Sequence, residues 1–138
     1  MSLPKLNTPT FELTLPSTGK KIKYRPFLVR EHKVLLTMAE ADDQEVARIV
    51  IDLVDACTFN KLDVQKLPHF DIEFIFLQLR AKSVGEKVDV IVNCECGNKI
   101  DAQFNIDDLK VEKAPGHSNK IMLNKEYGVE MDYPLFSE

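Results

Sequence analysis

A chain of 138 residues with a net charge of -4, 44% hydrophobic and 29% charged, fits one domain that buries a core without disulfides, and its acidic balance without a basic block argues against a nucleic-acid partner. No apolar run is long enough to span a bilayer, and positions 1–7 lack the apolar stretch of a secretory signal. Three cysteines, an odd number, do not read as a secreted disulfide framework, so a reducing cytoplasm is the expected compartment.

Thr10-Phe11-Glu12-Leu13-Thr14-Leu15 alternates apolar and polar and predicts a strand. Pro16-Ser17-Thr18-Gly19 is a turn, and Lys20 to Tyr24 returns as the second strand of a hairpin. Arg25-Pro26 ends it, because proline has no N–H to give to a ladder. The turn and the lysines after it look superficially like a phosphate loop. The pattern fails: Thr14 stands where the leading glycine belongs, and Lys21 stands where Ser or Thr should follow Lys20.

Leu28, His32, Leu35, Leu36 and Ala39 recur at helical spacing and predict a first helix over about 29–40. A lone histidine on such a stripe is a packing residue rather than a base. Asp42 or Asp43 caps a second helix with Val46, Ile49, Val50, Leu53 and Cys57 on one stripe. Glu45, Arg48, Asp52 and Asp55 take the opposite, wet face, so these acids read as caps and solvated side chains, not a catalytic pair.

The third helix is predicted to start at Asp71, as N-cap after Pro68, and to end at Gly85. Ile72, Ile75, Phe76 and Leu79 fall on one side, and Phe74, Leu77, Ala81 and Val84 on the other. Glu73 with Arg80, and Gln78 with Lys82, run as polar rails between them. A helix apolar on two sides must be covered twice. Either both faces are buried within the chain, or one face docks a partner, with Phe74, Leu77 and Ala81 as the candidate contact residues.

Val88, Val90 and Val92 alternate in one strand, and Ile100, Ala102, Phe104 and Ile106 in the next, with residues 94–98 as the connection. A last hairpin is expected over 120–124 and 129–133, turned at Tyr127-Gly128. The sum is an α+β fold in a single domain over 1–138: an N-terminal β-hairpin, a three-helix segment within a helical part at 28–85, then antiparallel β-hairpins in a β-rich part at 86–134.

Cys94-Glu95-Cys96-Gly97 is the one chemical cluster, two thiols at a hairpin tip that resemble half of a zinc ribbon. Structural zinc takes four ligands, in pairs spaced Cys-x2–4-Cys. Here the spacing is one residue short and no second pair exists. Cys94 and Cys96 are therefore weak metal candidates. His69 and His117 complete a site only if the fold brings them close, and Cys57 sits on a buried stripe. The bland alternative is a turn with exposed thiols and no cofactor.

Several blocks carry a family resemblance: Pro4-Lys5-Leu6-Asn7-Thr8-Pro9, Tyr24-Arg25-Pro26-Phe27-Leu28-Val29-Arg30-Glu31, and Leu67-Pro68 through Phe70-Asp71-Ile72-Glu73. Leu77-Gln78-Leu79-Arg80-Ala81-Lys82-Ser83-Val84-Gly85-Glu86 is the most specific, joined by the cysteine hairpin and Gly128-Val129-Glu130-Met131-Asp132-Tyr133-Pro134. The chain resembles the baseplate hub and hub-assembly proteins of T-even-like contractile-tailed bacteriophages. The resemblance implies a non-enzymatic role in building the central hub, as a subunit or an assembly chaperone, late in infection and in the host cytoplasm or the virion tail baseplate. Its implied partners are other hub proteins, with self-association as a further partner class. Relatives carry a wider cysteine spacing and continue into another helical part, which this chain, ending Phe136-Ser137-Glu138, is expected to lack. The rival from another class is a small zinc-binding regulatory or adaptor module built on Cys94 and Cys96.

Overall fold

The computed structural model describes residues 7–136; positions 4–6 of the Pro4–Pro9 block and the final Ser137-Glu138 lie outside the described residues. The fold is α+β: an N-terminal hairpin, three helices, then two antiparallel hairpins.

Strands β1 (Phe11–Thr14) and β2 (Lys21–Tyr24) pair antiparallel, with Leu13 opposite Ile22 and Phe11 opposite Tyr24. The period-two alternation sends Leu13, Leu15, Ile22 and Tyr24 into the core and leaves Glu12, Lys21 and Lys23 in water. Gly19, at φ 71°, supplies the left-handed turn residue, and its N–H donates to the Leu15 carbonyl at 2.8 Å. The hairpin is tied to the helices by the Arg25 N–H, which donates to the Cys57 carbonyl at 3.0 Å.

Helix α1 (Val29–Thr37) continues into a 3-10 turn at Met38–Glu40. It departs from the expected stripe. His32, Leu36 and Ala39 are exposed, and only Leu35 and Met38 pack partly against the core. The helix sits on the rim, held by Glu31, whose carboxylate accepts the Leu28 N–H at 2.6 Å and the Arg25 guanidinium at 3.1 Å. Helix α2 (Asp43–Cys57) follows its predicted stripe and buries Val54 besides. Asp42 is the cap, its carboxylate accepting the Glu45 N–H at 2.8 Å.

Helix α3 (His69–Ser83) begins two residues before the predicted cap. Pro68 holds the N-cap position, so Asp71 lies inside the first turn, fully buried, and accepts the Ser17 N–H at 3.0 Å and the Ser17 hydroxyl. The sequence placed Asp71 as a local cap; its partner lies on the distant first hairpin instead. Ile72, Ile75 and Leu79 fill the core. Gly85, at φ 143°, turns the chain out of the helix.

Strands β3 (Lys87–Asn93) and β4 (Lys99–Asn105) form the second hairpin, connected through 94–98 as expected. A 3-10 turn at Ile106–Asp108 follows and buries Ile106. Strands β5 (Lys120–Met122) and β6 (Gly128–Glu130) form the third. Its turn falls earlier than Tyr127-Gly128: Gly128 is a strand residue, and the Asn124 side chain makes the turn by accepting the Glu126 and Tyr127 N–H groups at 2.8 and 2.7 Å. The tail returns to the start of α3, where the His69 N–H donates to the Pro134 carbonyl at 3.1 Å and Phe70 meets Tyr133 edge-on at 4.9 Å.

Burial divides the molecule. The core is made by the first hairpin, α2, α3 and Val64. Every residue from 107 to 134 is exposed.

Candidate functional site

The β3–β4 register sorts side chains into two unlike faces. Val88 pairs with Phe104, Val90 with Ala102 and Val92 with Ile100, so one face is wholly apolar. Lys87 with Asn105, Asp89 with Gln103, Ile91 with Asp101 and Asn93 with Lys99 make a polar face, where the Gln103 amide donates to Asp89 at 2.8 Å. An amphipathic hairpin folds this way so that its apolar face can lie on something. Here that face is open: Ile100 is 55% exposed, Phe104 52% and Val92 45%.

The backbone edges are open too. The Ile106 N–H bonds the Glu86 carbonyl, and the Cys94 N–H bonds the Asn98 carbonyl, at 2.8 and 2.9 Å. Antiparallel pairs alternate between bonded and non-bonded, so Val88, Val90 and Val92 turn their peptide groups inward to β4. Lys99, Asp101, Gln103 and Asn105 turn theirs outward, and among the described residues β3 and β4 pair only with each other.

The third hairpin repeats the arrangement. Ile121 lies opposite Val129, the Leu123 and Met131 N–H groups bond the Tyr127 and Asn119 carbonyls, and Ile121, Leu123, Tyr127, Val129 and Met131 are all exposed. Two hairpins thus present apolar faces to solvent, an arrangement typical of surfaces that meet other proteins.

Of the residues singled out on α3, Ala81 is buried within its own chain at 4% exposure. Phe74 is half-buried and packs against the core, and Leu77 is half-buried. On this side of the helix Ala81 is covered, Phe74 and Leu77 are covered in part, and Val84 stays 59% exposed. The wider apolar surface lies on the hairpins, whose alternation was visible as strand pattern but carried no sign that nothing would cover it.

Cys94 and Cys96 stand exposed at the β3–β4 tip, while Cys57 is buried in the core. A hydrogen bond from Cys94 and others from Asn98 hold the Cys96 thiol below its usual pKa; burial pushes the Cys57 thiol up to about 11. His117 stacks on Tyr133, with Nε2 2.5 Å from the phenol oxygen, and His69 meets Phe136. Among the described residues no three of His, Cys, Asp or Glu gather as a metal-binding group. Beside β2, Lys20, Lys21, Lys23 and Lys61 line a cavity of about 310 Å³. No helix among the described residues is long and apolar enough to cross a membrane.

No curated protein and no solved structure matches the chain. A family model does, that of the T4 bacteriophage base plate protein, and it covers residues 8–138. The match takes in the core, the helix α3 and both exposed hairpins, so the chain belongs to the T4 bacteriophage base plate protein family.

Proposed function

We propose that this baseplate protein acts in assembly of the central hub, as a hub subunit or an assembly factor, by non-enzymatic contacts with other hub proteins. The observation that carries the reading is the apolar face of the β3–β4 hairpin, where Val92, Ile100 and Phe104 are exposed and Val88, Val90 and Ala102 are half-buried. A partner that covers it gains the burial the chain itself does not provide, at about 25 cal/mol per Å² of apolar area. Phe74 and Leu77 on α3 form a smaller second contact. Family membership supports the setting, the phage baseplate; hub proteins as the partner class follow from the sequence resemblance carried by the Leu77–Glu86 block.

Quantitative mass spectrometry of purified particles beside the infected lysate tests the role. A fixed integral copy number per particle makes the chain a hub subunit. Abundance in the lysate with absence from particles makes it an assembly factor. Val92→Asp, on the exposed face, is expected to keep the fold and to lose association with hub proteins in the lysate. Retained association in a folded Val92→Asp variant, with loss in Leu77→Asp, moves the contact from the hairpin to α3.

A further inference from the structure

We propose that the outer edge of β4 pairs with β4 of a second copy, antiparallel about a two-fold axis at Ala102, and joins the two hairpins into one four-stranded sheet. The inference rests on the reading of this hairpin as a contact element. Three observations lead to it.

The first is that a lone two-stranded hairpin is marginal in water, and three or more strands with an apolar face are needed for independent stability. β3 and β4 are seven residues each, regular and without a bulge, and neither contains proline. Edges that avoid pairing are shortened, bulged, charged or interrupted by proline. This edge is neither short, bulged nor interrupted, and its two charges, Lys99 and Asp101, lie opposite uncharged residues in the pairing about Ala102.

The second is the direction of the free peptide groups. Lys99, Asp101, Gln103 and Asn105 turn N–H and C=O away from β3, as the bonds at both ends of the hairpin require. The edge can therefore bond a new strand over its full length.

The third is that β4 complements itself. With Ala102 opposite Ala102 of the second copy, Lys99 faces Asn105 and Asp101 faces Gln103 on the polar side. On the apolar side Ile100 faces Phe104. No like charges stand directly opposite, apolar meets apolar, and all seven residues overlap. A register centred on Asp101 sets the two carboxylates against each other, which is destabilising. The corresponding pairing of β3 sets Asp89 against Ile91. β4 in the Ala102 register is thus the better match. The product is a single sheet whose apolar face, six side chains from each copy, is doubled for a hub partner to cover.

Disulfide trapping tests the register. At a two-fold, non-hydrogen-bonded position the Cα atoms stand ~4.5 Å apart, within the range a disulfide bridges. The full chain carrying Cys94→Ser, Cys96→Ser and Ala102→Cys is treated with diamide, which takes up two electrons and two protons as the paired thiols become a disulfide. Expected is a covalent dimer formed at least roughly tenfold faster than with Ile100→Cys or Phe104→Cys in the same background, because each of those faces the other residue. An equimolar mixture of the Ile100→Cys and Phe104→Cys chains should crosslink to each other. In sedimentation the native chain should be a dimer and Asp101→Pro a monomer that keeps the native circular-dichroism spectrum and melts below the dimer, since the N–H lost there points outward and only the intermolecular bonds are removed. Equal crosslinking at all three positions, or a monomeric native chain, overturns the proposal. A monomer that still binds hub proteins and loses them on Val92→Asp leaves the hub reading standing and removes only the self-pairing. A dimer whose Val92→Asp variant binds hub proteins as before does the reverse.

Discussion

Asp71 and Ser17 lie 54 residues apart, yet the buried Asp71 carboxylate accepts both the backbone N–H and the hydroxyl of Ser17. The bond staples the turn of the first hairpin to the first turn of α3, where the free amide groups also favour a negative charge. Removing one partner of a buried hydrogen bond to a charged group costs about 2–3 kcal/mol. Asp71→Ala should lose that much in urea unfolding, and Ser17→Ala about 1 kcal/mol, because Ser17 keeps its backbone N–H. Equal small losses at both positions would remove the staple as a stability element.

Glu31 gives the fold an acid dependence. Burial opposes its charge, but hydrogen bonds from Arg30, Arg25 and the Leu28 N–H outweigh burial and lower its pKa from 4.5 to about 2. The folded pKa lies below the unfolded one, so the contribution is complete above about 4.5 and is lost as pH falls toward 2. The shift corresponds to roughly 3 kcal/mol at neutral pH. Glu31→Gln should be destabilised by that order at pH 7, and its gap to the native chain should narrow steadily between pH 4.5 and 2 in thermal melts. A gap that stays constant across that range would assign the loss to packing alone.

The end of α2 holds removable strain. Phe59, at φ 62°, occupies the left-handed position after the cap, followed by Asn60 at φ 52°. The Asn60 N–H reaches back to the Asp55 carbonyl at 2.9 Å, a helix closure that glycine serves best. Phe59 is exposed, so little burial is at stake. Phe59→Gly should stabilise the chain by about 1 kcal/mol and raise Tm by roughly 3–5 °C. A fall in Tm would mean that the ring contributes more than the backbone strain removes.

The cysteines should separate by reactivity. Cys94 and Cys96 are exposed and the Cys96 thiol is held below its usual pKa, whereas burial raises Cys57 to about 11. The thiolate is the reacting form. Iodoacetamide at pH 8 should label the two tip cysteines in the native chain and Cys57 only after unfolding, as read by peptide mass spectrometry. Native labelling of Cys57 at a comparable rate would indicate local opening of the α2 end.

Element type was legible wherever a period repeats within a few residues. Leu13 and Ile22 on one strand face, the α2 stripe through Leu53 and Cys57, and the alternation of Val88, Val90 and Val92 each placed an element within a residue or two of its observed bounds. The misses were choices decided by side-chain partners that the period does not show, distant in the case of Asp71 and local in the case of the last turn. Asp71 resembles a cap until Ser17 is seen beside it, and the Tyr127-Gly128 turn yields to Asn124, whose side chain closes the loop first. The α1 stripe was legible as a pattern, but Leu36 on it stays exposed because α1 packs on the rim.

The sequence alone determined the order of hairpin, helices and hairpins and the residues that share a face, since both follow from backbone geometry and side-chain period. The tertiary structure decided which faces find a cover. Ala81 sits on the same predicted side of α3 as Phe74 and Leu77, yet it is buried and they are half-buried. Val92, Ile100 and Phe104 have as clear an apolar pattern as Leu13 and Ile22 and remain in solvent. Periodicity is encoded in neighbouring residues, whereas burial depends on what the rest of the chain brings alongside. Among the described residues, the ones brought near the β3–β4 face leave its Val92, Ile100 and Phe104 in solvent.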